Sequence, residues 1–193
     1  QTATLRSGAA DTVNKSVAGN SGPYALSFDG VDDQVIIPHT PSLSLDRFTI
    51  GLWVKPGAQK PDWQPLLAKA ADNSAESNYG LFIAPDSTQV RAYVDKAGCA
   101  SNVMFDSKTA LPLNAWSHVA LTYDGAFLRL YINGALDQSV ASTGGLCQTS
   151  NNIWIGRFDN AKTAFNGALD DVRIYPRPLN QAEITDLNNA RWR

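Results

Sequence analysis

Residues 116–140, WSHVALTYDGAFLRLYINGALDQSV, carry apolar side chains on alternate positions and are interrupted twice, at Asp124-Gly125 and Asn133-Gly134. Both dipeptides favour the positive-φ backbone of two-residue hairpin turns, so the stretch reads as three antiparallel strands in a meander. The same period of two runs outward in both directions. Upstream, YALSF puts Tyr24, Leu26 and Phe28 on one face, and RFTIGLWVKP puts Phe48, Ile50, Leu52 and Val54 opposite Thr49, Gly51, Trp53 and Lys55. YGLFIAP and QVRAYVD flank a turn at Asp86-Ser87, and NIWIGRF and GALDDVRIYPRPL supply two more strands. Such runs recur at a spacing of roughly 8–15 residues with Gly, Asn, Asp or Pro between them, which predicts a two-sheet antiparallel sandwich.

One short helix is expected near the C-terminus. In PLNQAEITDL, Asn180 can cap it, Glu183 stands three residues later as in a capping box, and Leu179 and Ile184 hold the staple positions. No repeat or linker divides the chain, so residues 1–193 read as a single domain, with residues 1–20 a loosely held lead-in segment.

Composition narrows the function. The chain has 193 residues, 44% apolar and 18% charged, the proportions of a soluble globular protein. A net charge of −2 with scattered basic residues gives no footprint for nucleic acid or an anionic membrane, and no apolar run is long enough to span a bilayer. Sixteen of the eighteen acids are aspartate, a turn-forming and metal-binding residue; the glutamates are Glu76 and Glu183. Cys99 and Cys147 lie in loop-like stretches rather than a CxxC pair, which favours one disulfide between loops over zinc or redox chemistry. That bridge suits a secreted protein, and the start at Gln1 without Met is what a mature or excised fragment would show. Asn14-Lys15-Ser16 fits a glycosylation acceptor, a triplet common by chance.

The phrases LSFDGVDDQVIIP, FTIGLWVKP, WSHVALTYDG, LRLYINGALD, IWIGR and FNGALDDVRIYPRPLNQAEI stand in one order across roughly residues 24–187. Together they resemble the laminin-G-like group of the concanavalin A-like lectin/glucanase superfamily. The resemblance implies an all-β jelly-roll sandwich of two curved antiparallel sheets, found in extracellular sugar-binding or adhesion modules attached to larger enzymes or surface proteins.

Asp29, Asp32 and Asp33 crowd five positions, and Asp170 shares parity with Val172 and Ile174, which would turn it toward the core. A buried carboxylate is costly unless paired or metal-bound. A Ca²⁺ ion, which takes six to eight oxygens, would satisfy both features, with Asp29, Gly30, Asp32 and Asp170 as ligands that tie the ends of the chain together. The resemblance points the same way, to a structural calcium held by backbone carbonyls and by the aspartate of a final D-x-V-R strand, here Asp170 to Arg173. Against this, Asp-Gly and Asp-Asp are also ordinary solvated turn formers.

Catalysis finds little support. Retaining glucanases of the superfamily need two carboxyl groups about 5–5.5 Å apart, and Glu76 and Glu183 are far apart in the chain. His39 lies in a Pro-flanked turn and His118 on a strand face, and no phosphate loop, HExxH or CxxC pair is present. The expectation is a non-catalytic domain, with a glycoside hydrolase as the distant alternative. Sugar recognition pairs an aromatic platform with planar polar groups. Trp63, in the loop KPDWQP, is the tryptophan best placed for exposure, whereas Trp116 and Trp154 suit core packing and Trp53 is ambiguous. Tyr79, Arg91, Tyr93, Arg157 and Asp159 could converge with it on one sheet, although Arg91 and Arg157 equally suit a solvated surface. The expected ligand is a polysaccharide or glycan; the alternative is a protein partner bound by an adhesion domain of laminin-G type.

Overall fold

A computed structural model describes residues 4–6, 16–20, 24–71, 77–157 and 163–190. Asn14, Glu76, Asp159 and Trp192 fall outside these residues. The meander forms as expected: β10 (Ser117–Tyr123), β11 (Phe127–Ile132) and β12 (Ala135–Ala141) pair in sequence, with Asn133 and Gly134 both at positive φ (52° and 81°) in the second turn. In the first turn the Asp124 carboxylate accepts the Ala126 and Phe127 amides at 2.8 and 2.7 Å.

The other strands are β1 (Thr4–Arg6), β2 (Ser16–Val17), β3 (Ala25–Asp29), β4 (Gln34–Ile37), β5 (Phe48–Pro56), β6 (Gln64–Ala70), β7 (Ser77–Ile83), β8 (Gln89–Asp95), β9 (Asn102–Ala110), β13 (Ile153–Ile155) and β14 (Asn166–Tyr175). They make two seven-stranded antiparallel sheets of a jelly-roll sandwich. Sheet I has the order β1-β4-β13-β6-β7-β8-β9, and sheet II the order β12-β11-β10-β5-β14-β3-β2. The described parts of the N-terminal segment, β1 and β2, each add an edge strand to one sheet. Where β9 and β12 approach, the Asp137 carboxylate accepts the amides of Lys108 and Thr109 at 2.7 and 3.0 Å, which protects that margin from strand addition.

Alternation fixes what each face does. Phe48, Ile50, Leu52 and Val54 of β5 and Val90, Ala92 and Val94 of β8 are fully buried between the sheets. The outer face of sheet II carries the helix α1 (Gln181–Asn189). Its capping box is complete, Asn180 accepting from Glu183 N and Glu183 accepting from Asn180 N, and Leu179 and Ile184 bury against Ala120 and Tyr131. Among the described residues no helix covers the outer face of sheet I, which leaves that face to polar and aromatic side chains.

The last strand departs from strict alternation. Leu169 pairs with Val54 and Asp170 with Trp53, but the register then slips so that Arg173, not Val172, pairs with Gly51. Asp171, at φ 48°, is the kinked residue of this bulge. Val172 and Ile174 do pack on the core, whereas Asp170 shares the face of its partner Trp53, away from the core. The inward orientation expected for Asp170 is therefore corrected, because one extra residue in the strand reverses parity.

Candidate functional site

The outer face of sheet I gathers a compact group. Arg91 and Tyr93 project there because Val90, Ala92 and Val94 point inward. Trp63, in the loop before β6, lies with its ring centroid 4.5 Å from the Arg91 guanidinium carbon, in cation–π contact. On its other side Arg91 makes a bidentate pair with Asp106 of β9, Nε to Oδ1 and Nη2 to Oδ2 both at 2.7 Å. The Asp106 hydrogen bond raises the Arg91 pKa, with burial opposing. Phe82 meets Trp63 edge-on at 6.3 Å and Tyr93 at 5.6 Å. Gly80 makes this packing feasible, since a Cβ there would overlap Tyr93 Cε1 and stand 2.8 Å from Phe82 Cε2. The result is a held guanidinium between an indole face and a carboxylate, with remaining N–H donors beside exposed Met104.

Not every expected residue joins it. Tyr79 pairs with Val94 and is 0% exposed, packed on Phe48 at 4.8 Å, so it belongs to the core; burial raises its phenol pKa. Arg157 follows β13, three strands from β8 or about 14 Å at ordinary strand spacing. It bridges to Ala164, and its Nε is buried without a hydrogen-bond partner. Trp154 is half-buried on the outer face, its Nε1 donating to Ala70 O at 3.1 Å, rather than inside the core. Asp106, Phe82 and Met104 were not singled out from the sequence. An acid on the strand after QVRAYVD was visible there, but an irregular β8–β9 register hid its alignment with Arg91.

The acidic turn is also real. Asp29, Asp32 and Asp33 bring carboxylate oxygens within 4.8 Å of one another, so the three could hold a metal ion. Asp33, 3% exposed, accepts Asp29 N at 2.9 Å, and Asp29 accepts Val31 N at 2.8 Å. These oxygens suit a hard cation such as Ca²⁺. The long-range half of the expected site does not assemble. Asp29 pairs with Asn166, four residues from Asp170 along β14, about 13 Å away. The Asp170 carboxylate instead accepts Asn20 N at 2.9 Å and Asp171 N at 2.8 Å. Gly30 O accepts the Lys60 ammonium at 2.6 Å.

Glu183 and His118 serve the fold. Glu183 is held down to about 2 by Arg177 and the Asn180 amide, so it has no proton to give near neutrality. His118 is pushed down to about 4 by burial, beside Trp53 at 5.3 Å. Cys99 and Cys147 form the expected disulfide.

A model described as the Concanavalin A-like lectin/glucanases superfamily, of laminin-G type, matches residues 29–185. The chain belongs to this superfamily. Among its relatives, "Adhesion G-protein coupled receptor V1" of Danio rerio is 24% identical over 185 residues, 88% of this chain. The chain corresponds to 3% of that receptor's length. Domain 4 of AbnA, an extracellular GH43 arabinanase from Geobacillus stearothermophilus solved with arabinotriose, has a TM-score of 0.71 at 20% identity, covering 97% of this chain and 87% of that one. The botulinum neurotoxin serotype D ligand binding domain, solved with N-acetylneuraminic acid, has a TM-score of 0.72 at 16% identity, covering 97% and 46%. At these identities the superfamily likeness establishes the shared sandwich. Among the described residues no helix is long and apolar enough to cross a membrane.

Proposed function

We propose that this chain is a non-catalytic, extracellular carbohydrate-binding module of a larger enzyme or surface protein, taking glycan on the outer face of sheet I at Trp63, Arg91 and Tyr93. The observation that carries the reading is the Arg91 guanidinium fixed between the Trp63 ring and the Asp106 carboxylate on a sheet face without a covering helix. An indole gives a stacking surface for the C–H face of a pyranose, and an immobilised guanidinium donates to ring hydroxyls with little entropy left to lose. Similar folds solved with arabinotriose and N-acetylneuraminic acid support the same reading, as does the disulfide for an oxidising compartment. Arg157 would lie at the margin of such a site, as a contact for a longer chain. A structural Ca²⁺ belongs to the proposal at Asp29, Asp32 and Asp33.

The expected result is binding of the intact chain to a glycan array, lost in both Trp63→Ala and Arg91→Ala with melting temperatures close to wild type. Full binding by both variants removes the site. The likeness to an adhesion receptor favours one second reading, a protein-interaction domain; no glycan bound, with capture of a defined protein ligand, would select it.

A further inference from the structure

The expected calcium site joined the early acidic bend to Asp170 of the last strand, and the two stand about 13 Å apart along β14. Gly30 O and Ala164 O both point at a single positive centre, Lys60 Nζ, at 2.6 and 2.9 Å. We propose that the Lys60 ammonium is the resident cation that ties the turn 29–33 to the segment 164–166, so that this long-range tie does not depend on a metal ion.

The surroundings are built for a fixed ammonium. Lys60 is half-buried, and its own carbonyl accepts Asp86 N at 2.8 Å, which anchors the backbone from which the side chain reaches. Ala164 is 2% exposed, so its carbonyl has little access to water and needs a donor from the protein. The same junction is closed by neutral bonds on either side: Asn166 Nδ2 donates to Asp29 O at 2.9 Å, and Gly57 N donates to Asn166 O at 2.9 Å. Gly30 stands at φ 81°, and a Cβ there would lie 2.9 Å from Asn166 Cβ and 3.4 Å from Lys60 Nζ, so the turn lies directly on this junction. A divalent ion bound to Gly30 O would have to expel the ammonium or sit beside it, and two cations on one carbonyl repel. Ligands for a metal on the carboxylates of the turn are a separate matter, because Gly30 O and Asp170 are already engaged elsewhere.

The test compares mutation with chelation by thermal melting of the whole chain. Lys60→Met keeps the stem and removes the charge. Its melting temperature should fall by about 6–24 °C, the loss of two charge-assisted hydrogen bonds in a chain of this length, and by the same amount in calcium and in EDTA. Lys60→Arg, which keeps a cation, should melt within about 2 °C of wild type. Treating the wild-type chain with EDTA should lower melting less than Lys60→Met does. The proposal is overturned if EDTA alone destabilises the wild type as much as the substitution does, or if Lys60→Met melts with wild type. Should Lys60→Met fail to fold, the chelation arm still decides: a fall of more than about 6 °C on treating the wild-type chain with EDTA overturns the proposal.

Discussion

Replacing both cysteines tests how the loop end of the sandwich is held. The Cys99–Cys147 bond closes a loop of 48 residues. In the chain-entropy description a crosslink of that span removes about 4 kcal/mol of conformational freedom from the unfolded chain. At about 2–4 °C per kcal/mol for this length, the Cys99→Ala/Cys147→Ala variant should melt roughly 8–16 °C below wild type. Alanine is preferred to serine because Cys147 is fully buried, and a hydroxyl there would add a desolvation penalty of its own. The folded loops keep their other ties: Cys147 N donates to Asp95 O at 2.8 Å and Ala97 N to Gly145 O at 3.0 Å. The native geometry should therefore survive, with glycan affinity unchanged and the unfolding slope in urea altered as the denatured chain expands. Calorimetry of wild type, wild type with reductant, and the double variant supplies the measurement. Agreement between reduced wild type and the variant is required; melting of the variant within about 2 °C of oxidised wild type would refute the reasoning.

Gly80→Ala should cost about 1–3 kcal/mol, because the new Cβ overlaps the Tyr93 ring, and should weaken glycan binding by tilting that ring; unchanged melting and binding would show that Tyr93 is free to move. His118 gives a pH signature, since burial holds its imidazole at about 4, with Asp171 opposing and Arg173 reinforcing the shift. A depressed histidine pKa means the unfolded chain binds the extra proton first, so this contribution is whole above about pH 6.5 and is lost as pH falls toward 4. The stability difference between wild type and His118→Gln, followed by urea melts from neutral pH downward, should shrink across that window; parallel profiles would count against it.

The sandwich was legible because its signals are local. Hairpin dipeptides, alternation in β5 and β8, and the Asn180–Glu183 box each lie within a few residues of one another. The site was less legible because it depends on which residue faces which across strands. Asp106 meets Arg91 only through a register with an irregularity between Gln89 and Arg91, and no sequence window carries that. Asp170 was read inward by a parity that the Asp171 bulge reverses. Tyr79 is the instructive case of the opposite kind. Its own run, YGLFIAP, aligns it with Leu81 and Ile83, so its place in the core was available from alternation alone and was obscured by grouping it with Arg91 and Tyr93.

Beside the crowded aspartates a lysine reaches backbone carbonyls, and the same device recurs elsewhere in the sandwich. Loops that leave a sheet present carbonyls that no ladder can satisfy. An ammonium offers three donors on a long apolar stem, which can run beside the core while the head reaches those carbonyls. Lys69 shares the core-side face with Tyr79 and Ile153, is 0% exposed, and donates to Thr149 O and Asn151 O, both at 2.7 Å. Burial pulls its pKa down to about 8, while those oxygens favour the charged form. Lys96 repeats the device at the disulfide end, reaching Tyr123 Oη at 2.8 Å and Ser142 Oγ at 3.2 Å. With Lys60 at the acidic turn, three single-residue cations each join segments distant in sequence. Each of these ammonium groups satisfies carbonyl or hydroxyl oxygens on loops far from it in the chain, so the loops are tied to the sheets by side-chain donors as well as by the ladders.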